Sequence, residues 1–378
     1  MAKILMINLP FTGHTNPTLP LTEVLVKRGH SVYYVNAEEF RKKIENTGAE
    51  FIPYKNYPTF ATEKQKKTMS FRAAFDTAIS LEQNFDLLIY EMFFYPGIEI
   101  AKRLKIPCVR QFSQPAWNEK IISNAPFLYK LSCYLIDIQI MSKTDKKHMS
   151  LTDKTLLKAI SSDKPTLNIV YVPDFFQSHR ETFGEDYIFT VPLMENNFSN
   201  DTSRQIPFEA MKKPIVYISL GSIISYKGFY KKCIRTFANK DMSIILNTGR
   251  IKPEWLGKIP DNIYAYSFVP QIDVLRHSNV FLTHCGMNSV IEAMSYGVPM
   301  VVMPLINDQV SNAKRIIEIG IGKRIRFFPS SGRQLYKTVN AVSSDKHIRN
   351  RCLEVKSLLK MGTSLEETAI RIETLLSR

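Results

Sequence analysis

The stretch THCGMNSVIEAMSYGVPMVVMPLINDQ, Thr283–Gln309, decides how this chain is read. A short apolar run, Val280–Thr283, leads into His284, Cys285 and Gly286. Asn288 and Ser289 fit a helix start. The helical pattern runs over Asn288–Tyr296 and stops at Gly297, with Pro299 just beyond, as helix ends often do. Met300–Met303 is a second buried run, and Asp308 and Gln309 follow it. A helix start presents unpaired N–H groups and the positive end of a dipole, which suits a diphosphate. One turn further on, Glu292 can accept from ribose hydroxyls, and an Asp-Gln pair can hold the hydroxyls of a sugar. A Ser289–Glu292 capping box would account for two of these residues. It leaves His-Cys-Gly and Asp308-Gln309 unexplained. The full set describes a nucleotide-sugar site.

Working outward, the same order of elements occurs twice. Lys3–Leu9 is an apolar run, followed by a turn at Thr12–Gly13, an amphipathic stretch at Leu19–Lys27 and a second strand at Ser31–Val35. In the other half, Ile215–Leu220 leads through Gly221–Ser222 to a helical stretch near Gly228–Asn239 and the strand Ser243–Asn247. Strand, turn, helix, strand is the unit of a parallel sheet. Further strands are expected at Leu87–Tyr90, Cys108–Phe112 and Ile263–Tyr266, with a helix at Gly97–Leu104. The polar stretch Glu195–Lys213 reads as a linker. Two α/β domains are therefore expected, 1–205 and 206–362. The closing segment, 363–378, is a helix with Leu365, Ala369, Ile372 and Leu376 on one face, able to pack back on the first domain.

The chain has 378 residues, 44% of them hydrophobic, which is enough for two sizeable cores. Its five cysteines are scattered and form no C-x-x-C pair, so neither a disulfide framework nor a zinc site is expected. Cys285 reads as a small apolar residue at a tight turn, not a nucleophile. No apolar run approaches the ~18 residues of a membrane span, and the start lacks the features of a signal peptide. A cytoplasmic protein is the expectation. The net charge of +15 gathers in lysine clusters at Lys64, Lys66, Lys67 and Lys143, Lys146, Lys147. These read as solvated surface first. Contact with an anionic membrane surface is possible but not favoured, and nucleic acid is not expected, because interleaved aromatics and glycines are missing.

In the first half, GHTNP at Gly13–Pro17 sits where doubly wound sheets place ligands. His14 can take a proton from a hydroxyl, or can simply cap a helix. A base histidine needs a carboxylate to orient it. Glu91 lies at the matching strand end, while Asp86 lies at the opposite end. In the second half, SLGS at Ser219–Ser222 is a weak signal that fits neither a P-loop nor a G-x-G-x-x-G fingerprint. FVPQIDVL, Phe268–Leu275, can lay its backbone along a flat base. Phe93, Phe94, Tyr95, Phe112, Trp117, Phe127, Tyr129 and Tyr134 are candidates for an apolar pocket.

Taken together, GHTNP, FVPQIDVL and the Thr283–Gln309 stretch running on to Ala313 resemble the family 1 UDP-dependent glycosyltransferases, in the bacterial macrolide and flavonoid branch. The resemblance covers essentially the whole chain. It implies a GT-B fold, with two Rossmann-like domains facing across a cleft, and inverting, metal-independent transfer with no cofactor. It implies a UDP-sugar donor, with glucose favoured by Gln309, and a small apolar hydroxylated acceptor. By this resemblance His14 is the base and Glu91 stands where the family usually has its orienting aspartate. Val269 pairs its backbone with uracil, and Gln271 lies beside the nucleoside. Ser222, His284, Gly286, Asn288 and Ser289 meet the diphosphate, Glu292 the ribose, and Asp308 and Gln309 the sugar. Phe268 and Met287 stand where plant members have tryptophan. The competing readings are transfer to a lipid or cell-envelope acceptor, and a non-catalytic sugar-nucleotide-binding protein.

Overall fold

A computed structural model describes residues 1–191, 206–221, 226–305, 308–327 and 330–377, apart from the Tyr129 side chain. The chain forms two compact units, Met1–Pro192 with Gly362–Arg378, and Leu193–Met361. The part of the expected linker that precedes residue 206 lies outside the described residues, as does Ser222.

The first unit is built on β1 (Lys3–Ile7), β2 (Ser31–Asn36), β3 (Glu50–Pro53), β4 (Leu87–Glu91), β5 (Cys108–Phe112), β6 (Leu167–Val170) and β7 (Tyr187–Phe189). All pair in parallel, in the order β3-β2-β1-β4-β5-β6-β7. The central strands are apolar on both faces, as a sheet covered on both sides requires. Leu5, Ile7, Leu88 and Tyr90 face one core, and Ile4, Met6, Leu87 and Ile89 face the other. The second unit repeats the plan with β8 (Ile215–Ser219), β9 (Ser243–Asn247), β10 (Ile263–Tyr266), β11 (Val280–Thr283), β12 (Met300–Val302) and β13 (Gly322–Arg324). Its order is β10-β9-β8-β11-β12-β13, again all parallel. In both sheets the strand order reverses beside the first strand, between β1 and β4 and between β8 and β11. The carboxyl edge at such a reversal is where loops splay apart and ligands enter.

The last helix, Leu365–Leu376, belongs to the first unit. Ser364 and Glu367 close its start as a capping box. Thr363 pairs in parallel with Thr190, whose hydroxyl donates to the Thr363 carbonyl at 2.9 Å. Ala369 and Ile372 are fully buried in the core beside the helix Leu19–Lys27. Arg28 then clamps Glu373 with two bonds, at 2.8 and 2.6 Å, and His30 reaches the same carboxylate at 3.0 Å.

Candidate functional site

In the first unit, a single helical turn, Thr12–Thr15, follows β1 and carries His14. Its backbone N–H donates to the Phe11 carbonyl at 2.9 Å. Nδ1 of His14 lies 3.2 Å from Oε1 of Glu91. Glu91 ends β4 and is fully buried, and its Oε2 accepts from the Phe93 amide at 3.1 Å. Glu91 therefore reaches the imidazole. The rings of Phe11 and Phe93 flank His14, with centroids at 5.4 and 5.1 Å, and Phe93 meets Trp117 edge-on at 6.3 Å.

A buried polar network underlies this turn. Tyr171 donates to Gln111 Oε1 at 2.9 Å, and Gln111 Nε2 donates to Asn8 Oδ1 at 2.6 Å. Asn8 Nδ2 in turn donates to the Tyr34 and Thr18 hydroxyls at 2.6 and 3.0 Å. Thr18 donates to the Thr15 carbonyl at 2.8 Å, next to His14. Asn8, Thr18, Tyr34, Gln111 and Tyr171 are all fully buried. Sequence reading missed Asn8 and Gln111. For Asn8 the available signal was a polar residue directly after an apolar strand, whereas Gln111 sits beside Arg110 in β5 and gave no such signal.

In the second unit, β11 ends at Thr283 and His284 opens the next turn. Cys285 adopts φ 72°, a left-handed conformation that strains a non-glycine residue by ~1 kcal/mol. Its amide donates to Thr283 Oγ1 at 3.1 Å, and its carbonyl accepts from Asn312 at 3.0 Å. Burial pushes its thiol up to about 12, so it is no nucleophile at neutral pH. The His284 ring lies between two glycines. A Cβ at Gly221 would stand 2.5 Å from its Cε1, and one at Gly286 would stand 2.7 Å from its Nε2. Burial lowers the His284 pKa to about 4, leaving the ring neutral at neutral pH. Its Nδ1 is buried with no hydrogen-bond partner among the described residues.

The helix that follows is Met287–Tyr296, with Gly286 as its N-cap and no side chain capping it. This corrects the expected start at Asn288 and removes the capping-box explanation. Ser289 and Glu292 instead both accept from Gln271 Nε2, at 3.0 and 2.5 Å, and Gln271 Oε1 accepts from Tyr217 at 2.9 Å. Gln271 thus turns its amide toward Glu292. The first-turn amides of Met287, Asn288 and Ser289 have no partner within the helix. Burial raises the Glu292 carboxyl to about 7, partly offset by Gln271. Asp308 and Gln309 open the helix Asp308–Glu318. Asn312, one turn on, donates to Asp308 Oδ2 at 3.3 Å as well as to Cys285, so it joins the two ends of the motif. Sequence reading missed Asn312 too, although it falls four residues after Asp308 on one helix face. Gln309 accepts from the Leu305 amide at 3.0 Å. Val269 is buried, and the Phe268 ring beside it is 64% exposed.

Residues 203–361 match the family described as UDP-glucoronosyl and UDP-glucosyl transferase. Over 99% of its length the chain is 30% identical to the NDP-glycosyltransferase YjiC of Bacillus subtilis (strain 168), covering 97% of that protein. The chain belongs to the family 1 UDP-glycosyltransferases. This glycosyltransferase is also 25% identical to the oleandomycin glycosyltransferase of Streptomyces antibioticus, over 98% of its own length and 90% of the relative's. A solved structure described as the glycotransferase of kitacinnamycin superposes with a TM-score of 0.86 at 26% identity, covering 99% of each chain. The enzyme has the GT-B fold of that structure. It takes a sugar-nucleotide donor and a small-molecule acceptor. Of the expected donor residues, Gln271, His284, Gly286, Ser289 and Glu292 fall in one cluster. Asp308 is tied to it through Asn312.

Proposed function

We propose that this glycosyltransferase moves glucose from UDP-glucose to a hydroxyl of a small apolar natural product, with inversion and without a metal. The observation that carries the proposal is the His14–Glu91 pair in its aromatic setting. A buried carboxylate on Nδ1 fixes the tautomer and stabilises the imidazolium once it forms, leaving Nε2 to take the proton of the acceptor hydroxyl. Phe11, Phe93 and Trp117 supply the apolar contact for that acceptor. Phe94, Tyr95 and Phe112 are buried core residues, so they are left out of this role.

On the donor side, Glu292 takes the ribose hydroxyls, and the first-turn amides with Ser289 and neutral His284 meet the diphosphate. The acceptor oxygen forms its bond to the anomeric carbon as the bond to UDP breaks, and the charge on UDP is taken up by those donors. Asp308 and Gln309 hold the sugar hydroxyls. Support for a natural-product acceptor comes from relatives named for oleandomycin and kitacinnamycin. The test is UDP-glucose with a mixed phenolic and macrolide panel, read by mass spectrometry, with the product anomer assigned by NMR. His14→Ala should abolish transfer and leave UDP affinity unchanged. Undiminished turnover would remove His14 as the base, and a retained anomer would overturn inversion.

A further inference from the structure

The helix Phe127–Ile140 in the first unit is inside out. A surface helix normally buries its apolar stripe and exposes its charged face. Here Phe127, Leu131, Tyr134 and Ile138 form one stripe at helical spacing, with Leu128 and Leu135 beside it. All six side chains are between 40% and 76% exposed. The buried side instead carries Asp137, 5% exposed. It accepts from the Tyr95 hydroxyl at 3.0 Å and the Leu156 amide at 3.3 Å, and it pairs with Lys146. These polar anchors fix the rotation of the helix, so the apolar stripe is held outward. A contiguous apolar face of this size on one chain marks an interaction surface.

We infer that this face docks on an anionic lipid bilayer. Lysines bracket it: Lys120 on the preceding helix Glu119–Asn124 and Lys143 and Lys147 on the following helix Lys143–His148 are exposed. Lys130 lies on the helix itself and donates to the Ser123 carbonyl at 2.7 Å. The nearby acids are fewer and largely engaged. Asp145 is held by Ser142 and Arg72, and Glu119 is exposed. Apolar side chains bracketed by lysines, on a chain of net charge +15, are the makings of a helix that lies in the interface of an anionic membrane.

Fourteen residues span ~21 Å along the helix axis. No helix among the described residues is long and apolar enough to cross a membrane, so this one lies on the surface. A small acceptor calls for a concave site, whereas this is a convex row along a whole helix. Pairing two copies through it would bring the bracketing lysines together, which like charge opposes.

The test is vesicle sedimentation of the whole chain with phosphatidylcholine vesicles, with and without phosphatidylglycerol. Binding is expected with the anionic vesicles at low salt, and it should weaken as salt rises. The exposed triple variant Phe127→Ser, Leu131→Ser, Tyr134→Ser should lower partition more than ~10-fold. Lys143→Glu with Lys147→Glu should lower it without touching the stripe. The inference is overturned by an absence of sedimentation with anionic vesicles at low salt, or by equal binding of wild type and triple variant. It also fails if the triple variant turns a dimer into a monomer, or raises KM for a small acceptor, while wild type ignores vesicles. Sedimentation and oligomeric state do not depend on the donor chemistry, so failure there leaves the proposed reaction untouched.

Discussion

Two histidines stand at the same kind of junction and meet opposite electrostatics. His14 follows β1 and faces a buried carboxylate from the end of β4. His284 follows β11 and lies against Gly221, after β8, and against Gly286. The first setting favours a proton acceptor, and the second keeps a neutral N–H donor. Glu292 adds a pH handle. Its carboxyl titrates near 7 because burial disfavours the charge. UDP affinity should therefore fall as pH drops below about 7, which calorimetry at about pH 6 and pH 8 would read. Glu292→Ala should weaken UDP by ~1–3 kcal/mol, and unchanged affinity would remove the ribose assignment. The sign for stability is the reverse. A carboxyl raised above its unfolded value stabilises the fold below that unfolded value, and the contribution is lost as pH rises through about 7. Glu292→Gln should flatten this part of the urea-midpoint profile. Beneath His14, Gln111→Leu would take the Gln111 partner from Asn8 Oδ1 and from the Tyr171 hydroxyl. It should cost ~2 kcal/mol of stability and slow transfer while UDP affinity holds. Urea unfolding and paired kcat and Kd measurements would check it.

At the scale of elements, legibility followed the density of apolar residues. β1, β4, β8 and β11 are runs whose hydrophobicity overwhelms other signals, and the sequence marks them directly. β13 is Gly-Lys-Arg, a strand only because β12 beside it offers a ladder, so nothing local announces it. The helix was expected to start at Asn288, because Asn288 and Ser289 are common at helix starts, whereas Gly286 is the N-cap and Gln271, distant in sequence, claims Ser289 and Glu292. No local rule sees that competitor. The closing helix was legible as a stripe able to pack back on the first domain, but the surface it meets there was not, because an apolar face does not name its partner residues. Arg28 and Glu373 supply that partner. With Arg28 first and His30 second, the Glu373 carboxyl is held down to about 2. Its contribution is present above the ordinary carboxylate range and is lost as pH falls through about 2. Glu373→Ala should lower thermal stability by about 1 kcal/mol at neutral pH, since the pair is partly screened. No change in melting temperature would show that the buried Ala369 and Ile372 hold the helix alone.

For the whole molecule, the paired plan of two parallel sheets was readable from two successive strand-turn-helix openings. Seven of the ten candidate donor residues fall within Thr283–Gln309, so they were legible together as one set. The His14–Glu91 contact was harder to read, because the two residues are far apart in sequence and meet only through the order of β1 and β4. The division of the chain has a further consequence. The first unit is interrupted: Gly362–Arg378 completes it only after all of Leu193–Met361 has been made. The second unit is one continuous segment, so during synthesis it can reach its native state while its predecessor still lacks a piece of core. The first unit must wait with Ala369 and Ile372 missing, exposing apolar surface to misassembly. Maturation is therefore expected to run backwards along the chain, second unit first. In a nascent-chain series, UDP retention should appear at lengths too short to give transfer.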